Sequence, residues 1–302
     1  MSTNKTRIAF IINPVSGTKK KDHVPGLIKQ ILDPEKYEPI IVLTQRAGHA
    51  TELAKEFVSQ NVPIIMSVGG DGTVNEIGRA LVNTNSAMGI IPFGSGNGLA
   101  RHLGIPMDTV KAIELLNHHK VTAIDYGTAN EFTFFCTCGV GFDAHIGHQF
   151  AIAPKRGFAT YVKTTLREYI NYKPKKYKIE TGDQSIKKKA FLITFANANQ
   201  WGNNAFVAPQ ADIQDGKIDI CIMGPIHFYS VFSIGISLFR KRLNRNSHMT
   251  VLTANKMFVK RKKAGIFHID GEPVETKKKI NIETHHLGLK VAVDKNSYLR
   301  DL

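Results

Sequence analysis

VPIIMSVGGDGTVNEIGRALV, residues 62–82, is the stretch on which the fold turns. It begins as a short apolar run of the kind that forms a strand buried on both faces. It ends in TVNEIGRALV, whose apolar residues return at helical spacing. Between the two lie Gly69, Gly70, Asp71 and Gly72. Glycine loses more backbone freedom on folding than any other residue, so a core does not choose it. The loop gains a close approach of backbone to something polar, just past a strand end. Phosphate is the first candidate, and one glycine loop alone does not establish it.

The same alternation runs through the first half. RIAFIIN, YEPIIVLT, VPIIMSV and AMGIIPF read as strands; HVPGLIKQIL, GHATELAKEFVSQ, TVNEIGRALV, NGLARHLG and MDTVKAIELLN read as helices. Short apolar strands alternating with helices predict a doubly wound parallel sheet covered on both faces. Ligands of such sheets bind outside the carboxyl ends of the strands. NPVSG, TQRAGHA, GGDGTVNE and GSGNG each follow one of the four strands, so four polar loops converge on one edge. From about residue 129 the pattern changes to strands and hairpins: EFTFFCTCGVGF, KYKIETG, KKKAFLITFANA, GKIDICIMG, HMTVLTAN, KMFVKRKKAGIFHIDGEPVE, KKINIETHH and LGLKVAVD. Two helical segments interrupt them, ATYVKTTLREYINY and IHFYSVFSIGISLFRKRL. The expected organisation is an α/β domain over 1–128 and a mostly antiparallel β domain with a few helices over 129–290. A last strand in 291–302 could return to the first domain.

Composition narrows the function classes. With 42% hydrophobic and 22% charged residues the chain is globular. Three cysteines, two of them in FCTCG, make no disulfide framework and read as core residues of a reducing, cytoplasmic protein. MSTNKTRIAF carries no secretory pattern, and no stretch approaches the roughly 20 apolar residues that span a bilayer. The net charge of +15 is unevenly placed. Residues 1–128 hold 13 Lys and Arg against 11 Asp and Glu, whereas 129–302 hold 27 against 14. KPKKYK, IKKKA, RKRLNR, VKRKKAG and ETKKKI carry most of the excess. Such a surface attracts a polyanion, at about 1 kcal/mol per basic residue near an anionic lipid face. Loop-tip lysines that merely keep the protein soluble are the alternative. Nucleic acid is disfavoured because the basic clusters lack interleaved aromatic residues.

Among the motifs, no G-x-x-x-x-G-K-[ST] string occurs, which excludes a P-loop NTPase. GVGFDA (139–144) fits a dinucleotide fingerprint in letters only: it opens the β half, and no strand with an acidic end follows about 20 residues on. GGDGT and GSGNG sit between strand and helix, where backbone amides can meet phosphate oxygens. Asp71, Thr73, Asn75, Glu76, Ser95 and Asn97 are polar residues that no turn requires. The pairs His118–His119 and His285–His286 cannot face one metal from a helix or strand and read as surface histidines. ANANQWGNNA, with Trp201, reads as a polar, aromatic loop at a rim.

NPVSG, GGDGTVNEI, PFGSGNGLARHLGIP, IDYG, GVGFDA, QDGKID and HIDGEPVE follow the order and spacing of the diacylglycerol kinase catalytic-domain family, from about residue 7 to 295. The chain resembles these lipid kinases, which include bacterial diacylglycerol kinases and the sphingosine and ceramide kinases. The resemblance implies an NAD kinase/phosphofructokinase-like first domain and use of ATP and Mg2+. It implies an ATP site lined by Asn13, Pro14, Gly17, Thr44, Gly69, Gly70, Gly72, Thr73, Asn75, Glu76, Gly94, Ser95, Gly96 and Asn97. Asp71 would sit at the nucleotide and its magnesium. Glu272 resembles the general base, arriving from the second domain to take the proton of the lipid hydroxyl. Asp125 resembles an acid of the metal and water network. Asp215 matches a second metal point, with Asp212 and Lys217 supplying backbone carbonyls; an ordinary DG hairpin turn is the other reading. Asp143 lies where some members meet the polar head of the acceptor. One departure stands out: several bacterial diacylglycerol kinases carry an acid after the asparagine of GSGN, and here it is Gly98. The metal network therefore does not transfer whole.

The leading expectation is an ATP- and Mg2+-dependent lipid kinase that works at the inner face of a membrane as a peripheral protein. An exposed β edge could pair two copies. An NAD kinase-like metabolite kinase is the enzyme alternative, and a catalytically inactive lipid-binding module is the other. FYSVFSIGISLF (228–239) followed by RKRLNR suits either a lipid interface or a buried helix with a solvated end.

Overall fold

The structure, a computed structural model, describes residues 5–17, 20–151, 158–182 and 184–301. The first four residues, on which part of the secretory-signal reading falls, lie outside the described residues. The chain divides into two compact units, Met1–Ile124 with Leu287–Leu302, and Asp125–His286.

Unit one runs β1 (Thr6–Ile12), α1 (Val24–Ile31), β2 (Tyr37–Leu43), α2 (His49–Ser59), β3 (Ile64–Gly69), α3 (Asp71–Leu81), β4 (Ala87–Pro92), α4 (Gly98–His102) and α5 (Thr109–Glu114), then a 3-10 turn over Leu115–His118. The strands lie in the order β2-β1-β3-β4, all parallel. β1 and β3 carry no polar alternation because both faces are covered, and every residue of β3 is buried. Val74, Ile77 and Leu81 form the inward stripe of α3. From β1 the chain goes outward to β2 on one side and returns to β3 on the other. This reversal leaves a crevice at the carboxyl ends of the strands. The register aligns those ends, with Ile12 opposite both Leu43 and Val68, and Gly69 opposite Pro92.

The chain leaves this unit within β5 (His119–Ala129). Unit two continues with β6 (Phe132–Phe134), β7 (Thr137–Gly141), α6 (Phe142–Ala151), α7 (Phe158–Asn171), β8 (Lys175–Thr181), β9 (Ser185–Ala190), β10 (Leu192–Ala196) and β11 (Ile218–Met223). Then follow α8 (Phe228–Phe239), a 3-10 turn (Leu243–Arg245), β12 (Met249–Ala254), β13 (Lys256–Arg261), β14 (Gly265–Ile269), β15 (Glu272–Thr276) and β16 (Lys279–Asp294). A six-stranded antiparallel sheet, β12-β11-β10-β7-β14-β15, forms one layer. The first half of β16 with β13, β8 and β9 forms another. Phe134, Phe195, Ile220, Val259, Phe267 and Ile282 join the two in one buried cluster. On the other face of the six-stranded sheet, Phe142, Ile146, Phe191, Cys221 and Ile234 form a second cluster that brings in α6 and α8. The last half of β16, in unit one, runs parallel to β4 with Val291 opposite Met88.

A parallel α/β unit and an antiparallel β sandwich are the fold class the sequence predicts. Three details differ. EFTFFCTCGVGF is not one strand: it breaks at Phe135 and Cys136, whose amides turn to the Asp270 carboxylate. Helix α6 is an element the sequence reading does not include, and only its first residue, Phe142, falls in the run read as strand. The loop with Trp201 is not simply a polar rim, since the indole packs against the cluster under α6 and α8. The three cysteines are free and buried, as core residues should be.

Candidate active site

In unit one the four loops are knitted together at the carboxyl edge. The Asn13 amide continues the sheet by donating to the Val68 carbonyl at 3.0 Å, and its side-chain Nδ2 donates to Thr73 Oγ1 at 3.1 Å. Thr44, buried at the end of β2, donates its amide to the Ile12 carbonyl at 2.9 Å. Asp71 opens α3, and its carboxylate accepts from the amides of Asn97 and Gly98, each at 2.8 Å. The acid of GGDGT therefore fixes the GSGN loop. Asn97, in the left-handed region at φ 52°, closes that loop on itself: Oδ1 accepts from the Gly94 amide and Nδ2 donates to the Gly94 carbonyl. Arg101 Nε donates to the Gly96 carbonyl at 3.0 Å, and Ser95 stands exposed at the tip.

The glycines have a second reason to be glycine. A Cβ on Gly17, at φ +72°, would lie 1.9 Å from the Phe93 carbonyl oxygen. A Cβ on Gly94 would lie 2.8 Å from the Gly70 Cα. These loops approach each other backbone to backbone, and only that closeness brings their amides to one place. Gly72 and Asn75 lie in the first turn and a half of α3, where the positive end of the helix favours an anion. Pro14 is exposed in the first loop. Glu76 points elsewhere: its Oε1 accepts from the Gly48 amide at 3.0 Å and its carbonyl accepts from Thr51, so it secures the start of α2.

Lys21 is a residue that sequence reasoning misses. Its side chain is buried, folds back to donate to the Ser16 carbonyl, and lies 5.1 Å from the centre of the Phe93 ring. Burial lowers its pKa from the ordinary lysine value. No spacing rule links a lysine five residues on to the NPVSG loop.

In unit two, Asp125 is fully buried and both of its oxygens are engaged. Oδ2 accepts from the Gly216 amide at 2.6 Å, Oδ1 meets His286 Nδ1 at 2.8 Å, and the Asp125 amide donates to the Ile213 carbonyl. The turn over 212–217 is thus wrapped on Asp125. Asp212 Oδ1 accepts from the Gln214 amide, and Asp215 Oδ1 accepts from the Lys217 amide at 2.9 Å. Burial raises the Asp215 pKa above the ordinary carboxylate value, the Lys217 amide opposes this, and the Asp212 and Asp125 charges add to it. Among the described residues no group of three or more His, Cys, Asp or Glu side chains is gathered as a metal cluster. The carboxylates of Asp125, Asp212 and Asp215 nevertheless bring like charge to this turn, and a hard cation such as Mg2+ suits oxygen donors of that kind. In the pair His285–His286, His286 is exposed as expected of a surface histidine yet meets Asp125, and His285 stacks on Tyr126 at 4.6 Å and meets Thr128 Oγ1 at 3.0 Å.

Glu272 begins β15 directly after a two-residue turn in which Asp270 and Gly271 both have positive φ, 48° and 87°. That geometry suits a tight hairpin ending in glycine. Asp270, also missed from sequence, anchors the hairpin by accepting from the amides of Phe135, Cys136 and Thr137, while its own amide donates to the Thr137 carbonyl. Glu272 is left exposed on a held turn. Asp143 lies inside unit two, where its Oδ2 accepts from Thr194 at 2.8 Å and meets His268 Nε2 at 3.2 Å. The side chains of Asp143 and His268 are 7% and 4% exposed. The glycines of GVGFDA fit this packing, since a Cβ on Gly139 would sit 2.7 Å from Asp143 Oδ2. Thus Asp71 and the glycine loops meet in one unit, while Asp125, Asp212 and Asp215 meet in the other. Within the second unit Asp143, on α6, and Glu272, on β15, lie on elements that pack against each other.

A parallel unit with glycine loops at its strand ends, followed by a β sandwich, is a fold shared with solved structures of a putative diacylglycerol kinase and an NAD kinase. The diacylglycerol kinase catalytic domain matches residues 7–129, and the YegS C-terminal NAD kinase beta sandwich-like domain matches residues 136–287. The chain belongs to this family of diacylglycerol kinase-like and YegS-like lipid kinases. It is 26% identical over 272 residues to a diacylglycerol kinase of Bacillus subtilis, covering 88% of this chain and 89% of that one. It is 30% identical over 195 residues to a probable YegS-like lipid kinase of Chromohalobacter salexigens, covering 63% and 62%. A solved structure of a putative diacylglycerol kinase from Bacillus anthracis shares the fold at a TM-score of 0.78 and 22% identity, over 97% of this chain and 99% of that one.

Proposed function

We propose that the chain transfers the γ-phosphate of ATP to a hydroxyl of a lipid, such as diacylglycerol or a sphingoid base, in a Mg2+-dependent reaction at the inner face of a membrane. The convergence of the loops after β1, β2, β3 and β4, in a chain of this family, carries the reading. Backbone amides at the first turn of α3 and those of Ser95 and Gly96 in the GSGN loop hold the phosphate oxygens, and Lys21 adds a cation beside them. Asp71 keeps the GSGN loop in register for this task. Glu272 takes the proton from the acceptor hydroxyl; the freed oxygen bonds to the γ-phosphorus as the bond to the β-phosphate bridging oxygen breaks, and ADP departs with that electron pair. Asp215, with the carbonyls of Asp212 and Lys217, would hold Mg2+, which when bound neutralises negative charge beside the turn. Asp125 orders that turn from beneath. A metabolite kinase acting on NAD is the rival activity, and a binding module without transfer is the other.

Labelled phosphate transfer to a panel of acceptors in mixed micelles tests this: diacylglycerol, monoacylglycerol, sphingosine, ceramide and NAD, each with and without Mg2+. A labelled lipid formed only with Mg2+ is the expected result. Label in NAD alone, or in nothing, contradicts it.

A further inference from the structure

Helix α8 is apolar on two opposite faces, and only one of them is covered. Ile234 is buried, and Leu238 packs against the same cluster beneath. On the far side Phe228, Tyr229 and Phe232 are each 79% exposed, and Ile236 and Phe239 are also exposed. At about 100° per residue, these five side chains fall within an arc of roughly 100°. A helix that is apolar all round is normally buried all round. The exposed face is extended by α7, where Ile170 is 76% exposed and Tyr169 lies 6.5 Å from Phe228, ring to ring. Exposed aromatic and aliphatic side chains this contiguous mark a surface that meets something.

The charge around the helix says what. Arg240, Lys241, Arg242 and Arg245 follow its last turn, all exposed. No Asp or Glu occurs between Asp219 and Asp270. An apolar arc with a basic border at its C-terminal end, where the neighbouring acid Glu168 of α7 is paired with Arg167 and His145, is complementary to an anionic lipid surface, with rings in the acyl boundary and guanidinium groups among the headgroups. A second copy would bring the same basic border and the same net charge of +15, which opposes pairing. No helix among the described residues is long and apolar enough to cross a membrane, so contact by this helix would lie along the surface. We infer that α8, with the adjoining edge of α7, is the face by which the protein docks on an anionic bilayer. This deepens the lipid-kinase reading and rests on it only for its purpose.

The test uses the full chain with no nucleotide. Sedimentation with vesicles of phosphatidylcholine alone and of phosphatidylcholine with phosphatidylglycerol should show binding to the second kind, at least about tenfold stronger than for Phe228→Ser/Phe232→Ser. Arg240→Ala/Arg242→Ala should reduce the preference for phosphatidylglycerol. Phe232→Trp gives a gain of signal, with indole emission shifting to the blue when vesicles are added. Equal binding by wild type and Phe228→Ser/Phe232→Ser, no binding by wild type, or unshifted emission from Phe232→Trp overturns the inference. So does self-association of the wild type that Phe228→Ser/Phe232→Ser abolishes, because the face would then belong to a second copy. Transfer to a short-chain, water-dispersed acceptor, run beside these, separates the claims. Its loss with vesicle binding retained counts against the kinase reading alone.

Discussion

At the residue scale, Asp71 shows how one side chain can fix one loop of a site to another. Its carboxylate accepts two backbone amides across 26 and 27 residues of chain, from Asn97 and Gly98. Charge-assisted bonds of this kind are each worth about 1.5–3 kcal/mol, and an amide in place of the acid turns one acceptor into a donor facing a donor. Asp71→Asn should therefore lower both the melting temperature and phosphate transfer, whereas a residue acting only on bound nucleotide would leave the melting temperature alone. Calorimetry without nucleotide checks it. Gly98 follows the loop asparagine where several relatives carry an acid, and its amide is one of the two that Asp71 holds. The loop here is fixed from outside by Asp71. Gly17→Ala is a second case: the added methyl would meet the Phe93 carbonyl oxygen and force φ +72° on an L side chain. Overlap of this kind costs on the order of 1–3 kcal/mol, and a fall in the urea midpoint at unchanged slope is the expected reading.

At the scale of elements, the hairpin β14–β15 and the turn over 212–217 are held by acids that reach far along the chain. Asp270 takes the amides of residues 135–137, and Asp125 takes the amide of Gly216. Asp270→Ala should lower transfer by about a hundredfold, because a misplacement of the hairpin by about 1 Å at Glu272 costs that much. Unchanged transfer in a folded Asp270→Ala would separate the hairpin from the chemistry. The β8–β13 pair offers a pH test. Glu180, hydrogen-bonded by Lys178 and Lys260, has its pKa lowered to about 2. A carboxyl depressed on folding gives stability that is present above its unfolded value of about 4.3 and is lost as pH falls toward 2. Glu180→Gln should flatten that limb of the melting curve against pH and lower neutral stability by the same small amount, small because the ion pair is partly open to solvent and screened. An unaltered acid limb would show that other carboxylates set it.

These elements also mark what the sequence makes legible. The buried strands of unit one announce themselves as unbroken apolar runs, since both faces are covered, and the β half announces itself by alternation and turns. The glycine loops are visible as loops, but their closeness is not. Gly70 reads as a backbone open to phosphate, and only the fold shows Gly94 against it. Asp270, Lys21 and His286 leave no local signal, because each finds its partner through tertiary structure. Helix α6 is hidden for a different reason: GFDAHIGHQFA continues the apolar run of β7, and its glycines argue against a helix in any local reading.

At the scale of the whole molecule, the charge and the family point the same way. Residues 1–128 are nearly neutral, the basic excess lies in the rest of the chain, and the exposed apolar arc of α8 lies there too. A water-soluble metabolite needs neither feature; a lipid acceptor gives both a use. The proposed reaction moves a phosphoryl group from ATP onto a lipid hydroxyl with Glu272 as the base. The most direct measurement is the rate at which γ-phosphate label enters the lipid extract with wild type and with Glu272→Gln, under Mg2+ and saturating acceptor. A loss of about 10²- to 10⁴-fold in Glu272→Gln, with an unchanged melting temperature, is the predicted result. Equal rates in the two proteins, or no label in lipid from either, would contradict it.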